Sequence, residues 1–180
     1  MGNVNNVTTC IKMPVYLQYY IRYRYFNGSN CCSGINHFNC FLRTILKTRP
    51  KDLEDVPRVK TAEDFEFIIP SIHGKNPLYH NYVSEEDNVM LIKAMEFVFY
   101  ESLFTYMDAS IDFDIKIRLN KRYIKIRYGQ RAKQILFFCL RSGIPEKYVN
   151  VDTINRAYSR RLEKYKNQII SHKQLTLKFT

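Results

Sequence analysis

Apolar and polar positions along the chain alternate first with the period of a strand, then with that of a helix. Val7 to Met13 reads as a short strand that Pro14 ends or places at an edge. In Val15 to Phe26, Tyr16, Tyr19, Tyr20 and Tyr23 step by three and four, which predicts a helix with Arg22 and Arg24 between the rings. After the turn cluster Asn27-Gly28-Ser29-Asn30, a second helix is expected from about Asn36 to Lys47. It would turn Phe38, Phe41, Leu42 and Ile45 inward, and Pro50 would close it. Lys51 to Asp64 mixes charges of both signs with Pro57 and has little periodicity, as a solvated connection does. Phe65 to Ile69 reads as a strand ending at Pro70, much as the first ends at Pro14, so the two are expected to pair in one small sheet. Ser71 to Tyr82, with Gly74, Pro77, His73 and His80, reads as a loop.

The strongest element follows. Ser84 can cap free backbone N–H groups, and Glu85, Glu86 and Asp87 suit the positive end of a helix dipole. Ile92, Met95, Phe99, Leu103 and Met107 then form an apolar row, which places a long helix, roughly 84–108, at the centre of the core. Residues 111–128 fit two patterns. Ile111, Phe113, Ile115, Ile117 and Leu119 alternate strictly and could return as a hairpin through Asn120-Lys121. A helix would instead align Phe113, Ile117, Ile124 and Tyr128, with Gly129 as its stop, and is the preferred reading.

Arg131 to Arg141 is helical in pattern, with Ala132, Ile135, Leu136, Cys139 and Leu140 as its expected buried face. Ser142-Gly143-Ile144-Pro145 ends it, because Gly143 tolerates a left-handed conformation and Pro145 cannot continue the helix. Asn150 or Asp152 can cap a further helix carrying Ile154, Ala157, Tyr158, Leu162 and Tyr165. The expected architecture is α+β, predominantly α: a small N-terminal strand layer, a long central helix and a C-terminal helix-turn-helix-like unit. Residues 1–110 would form a mixed body and 111–180 a basic helical region, packed together as one compact unit.

Charge adds direction to this picture. The 180 residues carry a formal net charge of +11. From Lys116 onward there are 17 Lys and Arg against Glu146, Asp152 and Glu163, a net of +14. The first 115 residues hold 11 basic against 14 acidic side chains, a net of −3. A positive field with a location suits a polyanionic partner, above all double-stranded DNA. The contact set expected on this basis is Lys121, Arg122, Arg127, Arg131 and Lys133, followed by Asn155, Arg156, Ser159, Arg160, Arg161 and Lys164 on the last helix. Arg and Lys neutralise phosphates, while Arg and Asn can also address base edges, with Asn155, Arg156 and Arg160 expected as groove readers. A basic helical hairpin with a solvated face would give the same composition.

Tyr79 to Glu85 leading into a long helix, together with Ala132 to Arg161, resembles small uncharacterised proteins of phages and mobile elements. The resemblance implies a mobile-element setting, where DNA-binding regulators and replication accessories are common, and brings no defined activity or site residues.

Other chemistries find less support. Cys31, Cys32, His37 and Cys40 match no zinc-finger spacing, so no metal or cofactor is expected. Asp112, Asp114 and Lys116, with Asp108 nearby, could hold Mg²⁺ and a nucleophilic water as in nucleases, but only on a strand. His73 and His80 lack a Ser, Cys or acidic partner at an interpretable spacing, and no Gly-rich phosphate loop occurs. The N-terminal tyrosines, with Arg22 and Arg24, could stack on unpaired bases, though such rows are more often core. The Met1-Gly2 start lacks the Ser or Thr of a myristoylation signal, having Asn6 there. An odd count of five cysteines without a leader pattern suits a reduced cytoplasmic compartment, and no apolar run is long enough to span a membrane. The expectation is therefore a non-enzymatic DNA-binding protein, with a homodimer compatible and a basic protein-docking component as its rival.

Overall fold

The computed structural model describes residues 7–26, 30–31, 36–51, 60–69, 75–118 and 128–177. Among these the chain is α+β and predominantly helical. Strand β1 (Thr8–Lys12) pairs antiparallel with β3 (Asp64–Ile68), Thr8 opposite Ile68 and Lys12 opposite Asp64, which is the pairing expected from the sequence. Ile11, Phe65 and Phe67 are buried, as an alternating strand with one face inward requires. A second pair was not expected: β2 (Lys47–Thr48) joins β4 (His80–Tyr82), inside the stretch read as a loop.

Pro14 begins helix α1 (Val15–Ile21), where its missing N–H costs nothing, and the chain continues as a wider π-helical turn over Arg22–Phe26. Helix α2 (His37–Ile45) starts at Asn36, whose side chain accepts from the Asn39 amide at 2.9 Å. It ends where Lys47 enters β2, not at Pro50.

Helix α3 (Glu85–Arg118) is 34 residues long. Ser84 caps it by accepting from the Asp87 amide, and Asp87 in turn accepts from the Ser84 hydroxyl and pairs with Lys47. The helical reading of 111–128 is met through Arg118, and Asn120-Lys121 lies outside the described residues. Gly129 is not a stop: it sits in the first turn of α4 (Tyr128–Arg141).

Leu91, Met95, Phe99, Leu103 and Met107 of α3 are buried at the centre of one apolar cluster that runs from Ile11 of β1 to Tyr158. The tyrosines of α1 reach α3 with their hydroxyls, Tyr16 donating to Glu96 and Tyr20 to Ser102, both at 2.9 Å. Helix α4 ends in a Schellman turn. Gly143, at φ 71°, donates to the Leu140 carbonyl and Ile144 to that of Cys139, with Ile144 and Cys139 both buried. A 3₁₀ turn (Glu146–Tyr148) then leads to α5 (Val151–Leu177).

The face that α4 buries is rotated from the expected one. Ile135 and Cys139 are buried and Phe138 packs beside them, but Leu140 is 74% exposed. Phe138 meets Tyr20, Phe99 and Tyr106, so contact with α1 and α3 selects the Arg131, Ile135 and Phe138 side.

Candidate nucleic-acid interface

Asn150 sets the start of α5, its Oδ1 accepting from the Thr153 amide at 3.0 Å, so Asn150 and not Asp152 is the cap. At about 100° per residue, Val151, Ile154, Tyr158 and Leu162 fall in one sector of this helix. Ile154 and Tyr158 are buried, and Val151 and Leu162 pack against the core. Arg156, Arg160 and Lys164, stepping by four, fall in the opposite sector and are exposed. Around Arg160 and Lys164 the surface is shallowly concave, bordered by Glu163, Asn167 and Gln168. Among the described residues none of the three cations makes an ion pair.

Asn155, expected as a groove reader, is turned inward. It lies only about 20° around the helix from Leu162, and it is 4% exposed with neither side-chain polar atom hydrogen-bonded. The same angular count applied to the sequence places it inward. Ser159, at the margin between the two sectors, is half-buried.

Arg161 is likewise committed elsewhere. It pairs with Glu101 of α3, and its guanidinium lies 5.2 Å from the Phe104 ring and 5.5 Å from that of Tyr165. Arg131 of α4 lies 5.5 Å from the Tyr158 ring, while Lys133, on the far side of α4, is exposed. These two arginines thus converge on the Tyr158–Phe104 pair, whose centroids are 5.4 Å apart, and fasten α5 to α3 and α4. Tyr158 donates to Asp108 at 2.5 Å. Burial first, then the Asp108 carboxylate, pushes its phenol far above the ordinary range, so it stays a neutral donor. Sequence patterning identified Tyr158 only as core. The spacing of Arg161 from Tyr158 and Tyr165, three and four residues, was the available sign of its stacking role.

Lys121, Arg122 and Arg127 lie outside the described residues. Asp112, Asp114 and Lys116 lie on α3 and not on the strand that the metal reading required. Among the described residues no group of three or more metal-ligating side chains comes together, and no helix is long and apolar enough to cross a membrane.

The connection from α4 to α5, residues 142–150, is longer than the roughly three- or four-residue turn of a helix-turn-helix. Its second helix, 27 residues, spans about 40 Å. The pair is two helices joined by this longer connection, the second capped by Asn150 and carrying a basic outer face. The chain matches no protein-family model, no curated protein and no solved structure.

Proposed function

We propose that the protein binds double-stranded DNA through the outward face of α5, as a regulator or replication accessory of a phage or mobile element. The observation that carries this reading is the exposed row Arg156, Arg160 and Lys164, without ion-pair partners among the described residues, on the side of α5 opposite its core contacts. Cations left without counter-charges gain most when they replace condensed counterions on a phosphate backbone. Arg156 and Arg160 are the candidate base readers, Lys164 and Lys133 contribute phosphate contacts, and Arg131 and Arg161 hold the helix in place.

Duplex affinity measured against salt tests the proposal. Each phosphate contact adds about −0.9 to the slope of log affinity on log salt, so Arg156→Ala with Arg160→Ala lowers affinity and flattens the slope by roughly 2. A slope near zero in the unaltered protein, or one untouched by the double substitution, overturns it. In that case the same face is better read as a dock for an acidic protein, a reading that the exposed Phe137 and Leu140 on α4 favour.

A further inference from the structure

Between α1, α3, α4 and the start of α5 the structure leaves a cavity of about 120 Å³. Rings make its walls: Tyr16, Phe99, Tyr100 and Tyr148. Tyr16 is fixed as a wall by its hydrogen bond to Glu96 and by its packing on Phe99, the centroids 5.3 Å apart at 60°. Cys139 also lines the cavity, and burial pushes its thiol up to about 11, so it adds no charge at neutral pH. The polar edge is small, made by Asn150 and Thr153. Asn150 spends its Oδ1 on the Thr153 amide, which leaves its own amide hydrogens, with the Thr153 hydroxyl, for a ligand.

Size restricts the occupant. An apolar cavity of about 150 Å³ accommodates benzene; this one is smaller but is lined on one side by the exposed Asn150 and Thr153, so it takes part of a single six-membered ring and excludes a fused pair. The surroundings restrict it further. Tyr148 carries the wall to the surface, where Tyr19, 38% exposed, stacks on it at 5.9 Å and 27°. The Lys147 ammonium sits 4.9 Å from the Tyr148 ring. An apolar ring slot with one polar edge, next to an exposed stacking pair and a cation, has the parts that hold an unstacked base and its phosphate.

From this geometry we propose that the cavity at the α4–α5 turn binds one pyrimidine base, presented either by an unpaired strand or as a free nucleoside. The strand form rests on the DNA reading above; the ring site itself does not.

The test uses the full chain with a short oligothymidylate, an oligodeoxyadenylate and an abasic strand of equal length, and with thymidine alone. The thymidylate strand is expected to bind about tenfold tighter than the abasic one, the gain typical of a base stacked on aromatic side chains. Cys139→Met and, separately, Thr153→Leu fill the cavity from two walls. Each is expected to reduce thymidylate binding to the abasic level while leaving abasic binding unchanged. Thr153 is exposed and only its backbone N–H, which donates to the Asn150 cap, takes part in the helix start, so that variant keeps the fold if Cys139→Met does not. Thymidine that binds alone, and is lost in the filled variants, supports the site with a free ligand even where no strand or duplex binds, an outcome that sinks only the DNA reading. Equal affinity for all three strands, with no thymidine binding and duplex binding intact, overturns the base site and leaves the DNA reading standing.

Discussion

Around Phe38 the protein packs ring against ring, with Phe67, Phe26 and Phe65 centred 5.4, 5.7 and 6.4 Å away. Between α3 and α5 it sets Tyr158 on Asp108 and Arg161 on Glu101 instead. The first region gains from removing apolar area from water, a gain that has no partner-specific geometry to lose. The second must offset the dehydration of charged groups, and it leaves the Nε atoms of Arg131 and Arg161 and both polar atoms of Asn155 without hydrogen bonds. Stability is thus concentrated in the N-terminal body, while the seam under α5 holds the basic face in position at little net gain.

Truncation at the ring cluster is the severest way to challenge that contrast. Phe38→Ala is expected to cost about 3–5 kcal/mol in urea denaturation, against less than about 0.5 for the exposed Leu140→Ala. Similar losses at the two sites would show that the cluster is not the dominant core. Within the seam the effect is smaller and divides by residue. Arg161→Ala removes an ion pair and two ring contacts and is expected to cost about 1–2 kcal/mol. Arg160→Ala, one position earlier, should leave the denaturation midpoint in place and weaken duplex binding. An Arg161 variant that weakens binding without loss of stability would return that residue to the contact set.

The cap of α3 gives the smallest effect, visible as a change of shape with pH. Hydrogen bonds from Lys47 and Ser84 hold the Asp87 carboxyl below the usual carboxylate range. Because the folded value lies below the unfolded one of about 3.9, this contribution is present above that pH and is lost as pH falls through the folded value. The gap in urea midpoint between the unaltered protein and Asp87→Asn should therefore be constant near neutrality and close in acid. A gap that persists in acid would assign the effect to something other than carboxylate charge.

Where local pattern and tertiary demand agreed, the sequence was readable: the Ser84 cap, the α3 row, the pairing of β1 with β3, and Gly143 at the end of α4. β2 and β4 were not readable, since strands of two and three residues carry no period, and His80 to Tyr82 follows a Gly- and Pro-containing stretch that reads as loop. In α4 the periodicity is correct and the expected face is not the buried one, because Phe138 packs with Tyr20 and Phe99 while the Leu140 side chain is exposed. On α5 the spacing of Arg156, Arg160 and Lys164 predicts one face, and all three are exposed. Residue type alone places Asn155, Arg131 and Arg161 in the contact set, whereas Asn155 is buried and the two arginines pack on rings.

The bonds that join α1 to α3 also set a schedule for the chain as it is made. Tyr16 and Tyr20 find Glu96 and Ser102 across 80 and 82 residues of sequence. At roughly 5–20 residues per second, about 4–16 s pass between synthesis of these tyrosines and of their partners. Through that interval the aromatic N-terminal segment has no α3 to cover it. The early part of translation is therefore when the protein is most exposed to aggregation and most dependent on a chaperone for that segment.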